Sequence, residues 1–315
     1  MEPFGRYQMD RNCRFWGIVV LLLLILNSTQ ITAEDESDNW YVQGGNTVLL
    51  EQYTATWCDV CAKIDPWVSD FADNRGSRLV RIALHDPISD PLGSQISNER
   101  LSIHSNSMEL APSFWFDSRN EIKGAVEPVD LDRALLNSEG IRSSDTIISI
   151  SAIESSDKKS MSFEIQLFNI SNSSNSQLSV FLLADIVIDN SLATNGITKH
   201  EDVAVGYLNT EIDSNFTIGD STNYTVFSQM FTNFSMTKYS EKIVVTIDTS
   251  FVDGGVDDYS IVVAHEIVSD DERLTLGAVS LSFTNSEISY GINVFVPLSI
   301  ICFVSVIIFF KDRFL

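Results

Sequence analysis

Between Val48 and Trp67 the chain reads VLLEQYTATWCDVCAKIDPW, an apolar run, a Trp-Cys-x-x-Cys and then a proline. No other stretch limits the fold as tightly. The apolar run predicts a buried strand, followed by a tight turn and a helix whose first turn carries Cys58. A helix start leaves backbone N–H groups unpaired and carries the positive end of the helix dipole, and both favour a thiolate over a thiol. Cys61, one turn further on, can reach Cys58 as a disulfide partner or resolving thiol. Pro66 lies too deep for a first helical turn and is expected to kink the helix.

The stretch closely resembles the thioredoxin superfamily. The likeness extends to Ala111-Pro112-Ser113, which runs into Phe114-Trp115-Phe116, and then to Gly124 and the amphipathic segment from Leu131 to Leu136. It covers Thr47 to Asn137. A bare C-x-x-C also serves zinc sites, whereas Trp-Cys-x-x-Cys after a strand, with both prolines placed, is far more specific. The resemblance implies that Pro112 is in cis and faces the two sulfurs, and that Ala111 docks a substrate chain. Trp57 and Tyr53 would line the approach. Cys58 would be the attacking thiolate and Cys61 the resolving thiol, joined as Cys58–Cys61 when oxidised.

Two departures bear on the chemistry. The family carries a buried acid in the strand before the motif, which helps to move the proton of the second cysteine. Here that position is Gln52, which cannot act as a base near neutral pH, so proton transfer falls to water or to Glu51 beside it. Between the cysteines stand Asp59 and Val60, and a carboxylate next to Cys58 opposes its ionisation. Less thiolate stabilisation means a less oxidising pair, so a reductase or isomerase is expected over a strong oxidase. A second resemblance is to microbial exported families that place a thioredoxin-like domain ahead of a β-domain. It rests on Thr54 to Cys58, on His85-Asp86 and on the strand-rich stretch from Thr146 to Phe283, and it concerns architecture more than activity.

The 315 residues include 43 acidic and 20 basic side chains, a net charge of −23. That balance argues against nucleic-acid binding, which needs a basic face for phosphates. It reads as a highly solvated surface. Clusters such as Asp257-Asp258 and Asp270-Asp271-Glu272 lack the spacing of a calcium loop. Cys13 falls in the leader and Cys302 in an apolar C-terminal segment, leaving Cys58 and Cys61 in the body of the chain. A disulfide-built secreted domain would carry more, so these two are expected to be a working pair.

In order, residues 1–33 read as a signal peptide or an uncleaved signal anchor, with Arg6, Arg11 and Arg14 before the apolar Phe15 to Leu26. Residues 34–46 are acidic and read as a linker. The expected fold class is an α/β thioredoxin-like domain over residues 47–137, then an all-β sandwich-like domain over 145–287, then one transmembrane helix over 292–310. Strands are expected at Leu79–Leu84, at the alternating Met161 to Leu167, and at Val180–Ile188, which is apolar throughout except for Asp185. Further strands are expected at 203–208, 224–230, 242–248, 259–268 and 278–283. Asn169, Asn172, Asn215, Asn223 and Asn233 are candidate glycosylation acceptors. Residues 292–310 approach the roughly 20 residues that cross a bilayer. Lys311-Asp312-Arg313 would hold the 311–315 tail in the cytoplasm, so the bulk of the chain is expected outside it, anchored by a single pass.

The expected function is a membrane-anchored thiol–disulfide oxidoreductase acting on exported proteins. It needs no cofactor, and a separate membrane partner would supply electrons if it is a reductase. The alternatives are a surface binding or adhesion protein with a vestigial redox domain, and a copper-delivery protein in which His85 joins the cysteines. No metal site is expected on the favoured reading, and His85 is expected to cap its strand end.

Overall fold

The computed structural model describes residues 39–283 apart from 105–109, 143, 171–174, 213–217, 222–223, 251–255 and 269–272. In its first half it has strands β1 (Asn39–Gly44), β2 (Val48–Thr54), β3 (Leu79–His85), β4 (Ser113–Phe116) and β5 (Arg119–Lys123). Helices α1 (Cys61–Asp73), α2 (Gln95–Ile103) and α3 (Pro128–Ile141) interrupt them. The rest is strand: β6 (Ile147–Glu154), β7 (Ser160–Phe168), β8 (Ser176–Val187), β9 (Lys199–Glu211), β10 (Gly219–Ser221), β11 (Tyr224–Val226), β12 (Phe231–Lys238), β13 (Lys242–Ser250), β14 (Tyr259–Val268) and β15 (Arg273–Ser282).

These strands form two sheets. One has six strands in the order β1-β6-β7-β13-β12-β10, all antiparallel. The other has nine, running β15-β14-β8-β9-β3-β2-β4-β5, with β11 added beside β9. Within it β2 and β3 are parallel, β3 meets β9 in parallel at Ala83 and Val203, and the other pairs are antiparallel.

This arrangement overturns the expected fold class. The chain is predominantly β, and it is not an α/β domain followed by a separate sandwich, because strands from both halves share the nine-stranded sheet. The physical reason lies at β3. A strand at the end of a sheet leaves a row of unpaired N–H and C=O groups, and here β9 covers that edge. The expected transmembrane helix at 292–310 lies outside the described residues. Among the described residues no helix is long and apolar enough to cross a membrane.

Burial explains why each segment adopts its form. Every residue of β2 and β3 is buried, so both strands are covered on two faces. Val48 and Leu50 pack with Ile64, Val68 and Phe71 of α1 and with Leu131 and Leu135 of α3. Leu49, Tyr53, Ile82 and Leu84 face the other way, onto Ile96 and Leu101 of α2. Along β7, Met161, Phe163, Ile165 and Leu167 turn inward against Leu178, Val180 and Leu182 of β8 and Ile261 and Val263 of β14. The two sheets thus enclose a sandwich-like core, each fully buried Leu or Phe contributing about 1.5–3 kcal/mol relative to exposure. Phe181 and Leu183 of β8 serve the opposite face, which is why that strand reads as continuously apolar.

Two features bind the halves. Asn39–Gly44, polar enough to read as linker, is strand β1 and pairs with β6 along its length. Arg100 of α2 is fully buried and donates to Glu51 of β2 at 2.7 Å and to both carboxylate oxygens of Glu266 on β14 at 2.9 Å. Ser179 and Tyr207 complete the cluster.

Candidate functional site

After β2 the chain turns through Ala55–Val60 into α1. The regular helix starts at Cys61, so Cys58 precedes it instead of lying in its first turn. Val60 is the helix N-cap. Two residues earlier, the Cys58 C=O accepts the Ala62 N–H at 3.1 Å, and its Sγ accepts the Cys61 N–H at 3.0 Å. A backbone donor aimed at the sulfur favours negative charge there. The two sulfurs are joined as a disulfide, with Cα atoms 5.2 Å apart. Cys58 is 6% exposed and Cys61 wholly buried, so an incoming sulfur can approach Cys58 alone.

The Ala111–Pro112 bond is cis, and the Ala111 carbonyl oxygen lies 3.5 Å from Cys58 Sγ. The Gly124 N–H donates to the Pro112 carbonyl at 2.8 Å and ties this segment to the end of β5. Trp57, Val60 and Leu110 are exposed around the disulfide, and Asp59 and Pro66 are exposed as well, Pro66 within α1. Tyr53 does not line the approach. It is buried, and its hydroxyl donates to Asp86 Oδ1 at 3.3 Å. Burial, with the Asp86 charge, pushes its pKa up to about 12.

Beneath the cysteines, Gln52 and Glu51 point to opposite faces of β2. Glu51 belongs to the Arg100 cluster, and His104, stacked on Trp115, faces its other oxygen at 3.2 Å. Burial opposes its ionisation, yet Arg100 and His104 outweigh that and hold the carboxyl well below the usual range. It is committed there and unavailable to the cysteines. On the cysteine side, Gln52 donates to Asp65 Oδ1 at 2.7 Å, and the Thr54 hydroxyl donates to Asp65 Oδ2 at 2.5 Å. Gln52 is itself held by Arg81, which also binds Asp202 and the Glu201 carbonyl on β9. Asp65 follows Cys61 by four residues on α1, so the two share a helix face. Burial raises its pKa against the opposing pull of Thr54, Arg81, His85 and Gln52.

Asp65 lines a cavity of about 390 Å³ with Thr54, Arg81, His85, Lys199 and His200. His85 Nδ1 faces Asp90 Oδ2 at 3.2 Å. Burial works against the Asp90 charge, but His85 and the Thr56 and Leu92 N–H groups prevail and lower its pKa. His85 Nε2 is buried without a hydrogen-bond partner, beside His200, whose pKa burial lowers to about 4. Among the described residues no three His, Cys, Asp or Glu side chains are arranged to hold a metal ion.

Two residues escape a reading of the sequence. Asp65 could have been found, because it sits one turn past Cys61 opposite Gln52. Asn195, 137 residues from Cys58, carries no such signal. It lies in the β8–β9 connection, and its backbone N–H donates to the Thr56 carbonyl at 2.9 Å. Its side-chain amide donates to the carbonyls of Ala55 at 3.2 Å and Cys58 at 3.3 Å. Of the glycosylation candidates, Asn169 and Asn233 are exposed, and Asn172, Asn215 and Asn223 lie outside the described residues.

No protein-family model and no curated protein sequence matches the chain. Solved structures that resemble its fold include the following two. HBP35 of Porphyromonas gingivalis matches with a TM-score of 0.57 at 9% identity, over 78% of this chain and 78% of that one. A structural-genomics protein from Agrobacterium tumefaciens matches with a TM-score of 0.50 at 14% identity, over 79% of this chain and 100% of that one. At such identities the likeness is one of fold.

Proposed function

We propose that the chain is a thiol–disulfide oxidoreductase of thioredoxin-like chemistry that acts on protein disulfides, as a reductase or isomerase. The observation that carries this reading is the meeting of a Cys58–Cys61 disulfide, exposed only at Cys58, with the carbonyl before cis-Pro112. An extended substrate chain can pair with the backbone at Ala111 while its sulfur reaches Cys58 Sγ. In the reducing direction the Cys58 thiolate attacks one sulfur of a substrate disulfide. That S–S bond breaks, its electron pair leaves on the other substrate sulfur, and a mixed disulfide forms. Cys61 then gives up its proton, and its thiolate attacks Cys58 Sγ. The Cys58–Cys61 bond closes and the second substrate thiolate departs. A partner dithiol reduces the pair again for the next cycle.

Asp65, four residues past Cys61 on the same helix face, is the group this reading assigns to the proton of Cys61. It takes the place expected for water or Glu51. Gln52 holds the carboxylate in position, and Glu51 is occupied elsewhere. The basic and apolar start of the chain supports a place of action outside the cytoplasm.

The test is a Cys61→Ala variant of the full chain, reduced and mixed with a scrambled disulfide protein. Mixed disulfides on Cys58 that dithiothreitol releases are expected. If Cys58 fails to form them while remaining open to alkylation, the redox reading falls, and a binding role carried by the β half takes its place.

A further inference from the structure

The connection between β8 and β9 is a built loop. Its ends are joined by the Ile188 N–H on the Thr198 carbonyl at 2.9 Å, and the Asp189 carboxylate accepts the Ser191 N–H at 2.8 Å. The Gly196 N–H returns to the Ala193 carbonyl at 2.9 Å, with Gly196 at φ +86°, a conformation that favours glycine. The Ile197 N–H donates to Asn195 Oδ1 at 3.0 Å, which fixes the side-chain amide with its NH2 outward. That NH2 meets the carbonyls of Ala55 and Cys58, the residues that begin and end the Ala55–Cys58 turn, and the Asn195 backbone N–H and the Thr194 hydroxyl take the Thr56 carbonyl between them. These last four bonds all come from one loop of the C-terminal half, and their acceptors lie within the cysteine turn.

From this geometry, and resting on the redox reading above, we propose that Asn195 is a positioning residue for Cys58. The loop is a strap through which the β half sets the reactivity of the cysteine pair. Two effects follow from the contacts. Carbonyl oxygens carry partial negative charge, and those of Ala55 and Cys58 lie in the turn that presents the sulfur. Donors placed on them offset a field that would otherwise oppose a thiolate. The same bonds hold the turn in the geometry that points the Cys61 N–H at Cys58 Sγ, the bond that stabilises the thiolate directly. Asn195 touches neither sulfur nor substrate and acts only through this turn.

The experiment compares the full-length reduced protein with its Asn195→Ala and Asn195→Asp variants. The rate of Cys58 alkylation by iodoacetamide is followed across pH, and circular dichroism checks the fold. Asn195→Asp keeps the oxygen that accepts from Ile197 and loses the two donated bonds. Both variants are expected to move the midpoint of the alkylation–pH curve upward, with several-fold slower alkylation at a pH below it. Asn195→Asp should shift further because it adds negative charge. Folded variants whose midpoint stays where it is in the parent chain would overturn the proposal. If Asn195→Ala does not fold, Asn195→Ser takes its place, since it keeps the backbone bond to Thr56 and cannot reach both carbonyls. The proposal and the redox reading fail separately: a shifted midpoint without mixed disulfides on Cys61→Ala leaves the strap standing and removes the oxidoreductase.

Discussion

At Asp65 stability and chemistry pull in opposite directions. Its carboxyl is desolvated and its pKa raised, so its surroundings resist the charged form. The sign follows: a carboxyl with a raised folded pKa lowers stability as pH climbs past its unfolded value. Asp65→Asn keeps the shape and removes the charge. It is expected to raise the thermal midpoint, while mixed disulfides formed on Cys58 resolve at least tenfold more slowly in a quench-flow assay. Equal resolution rates would remove Asp65 from the proton path. His265 bears on acid stability. It is fully buried between the hydroxyls of Thr146 and Ser176, and burial lowers its pKa from 6.5 to about 4. Between those two values the unfolded chain takes up a proton that the folded ring refuses. Stability therefore falls as pH drops through that window, by on the order of 3 kcal/mol at its end. Urea midpoints measured from pH 7 to pH 4 should show this slope, and His265→Gln should flatten it.

Elements were legible where their periodicity was strong. The alternation of Met161 to Leu167 gives β7, and the apolar runs at Val48 and Leu79 give β2 and β3, because a buried face leaves a period that a single sequence can display. β1 and β12 were among the strands missed. Asn39–Gly44 and Phe231–Lys238 mix polar and apolar residues, and their pairing with β6 and β13 decides their form. Loops hide their constraints in the same way. Gly93 lies in the loop that carries Asp86 and Asp90, and a Cβ there would sit 2.0 Å from the Asp86 carbonyl oxygen. Gly93→Ala is expected to cost about 1–3 kcal/mol in chemical denaturation. It should also disturb His85 through Asp90, visible as altered imidazole resonances. A variant as stable as the parent would mean that the loop gives way without cost.

Across the whole molecule, the Arg100 cluster joins α2, β2 and β14, and Arg100 reaches both of its carboxylates only when the two halves meet. Arg100→Met leaves Glu51 and Glu266 buried without their cation, and is expected to cost about 3–5 kcal/mol. Adding Glu51→Gln and Glu266→Gln to that variant should restore much of the loss in equilibrium unfolding. If the single variant unfolds like the parent, the cluster is not desolvated as described. The cis-proline was implied by the resemblance the motif carries, and the cysteine pair and its turn were readable beforehand, since they depend on residues near in sequence. The same holds for a β-rich second half, whose strands carry their own periods. Only the tertiary structure decided that β9 would cover the edge of β3 and merge both halves into one sheet. It alone placed Asn195 on the cysteine turn and turned Glu51 away to Arg100. Such contacts join residues far apart in the chain, where complementary shape and charge leave no periodic trace in the sequence.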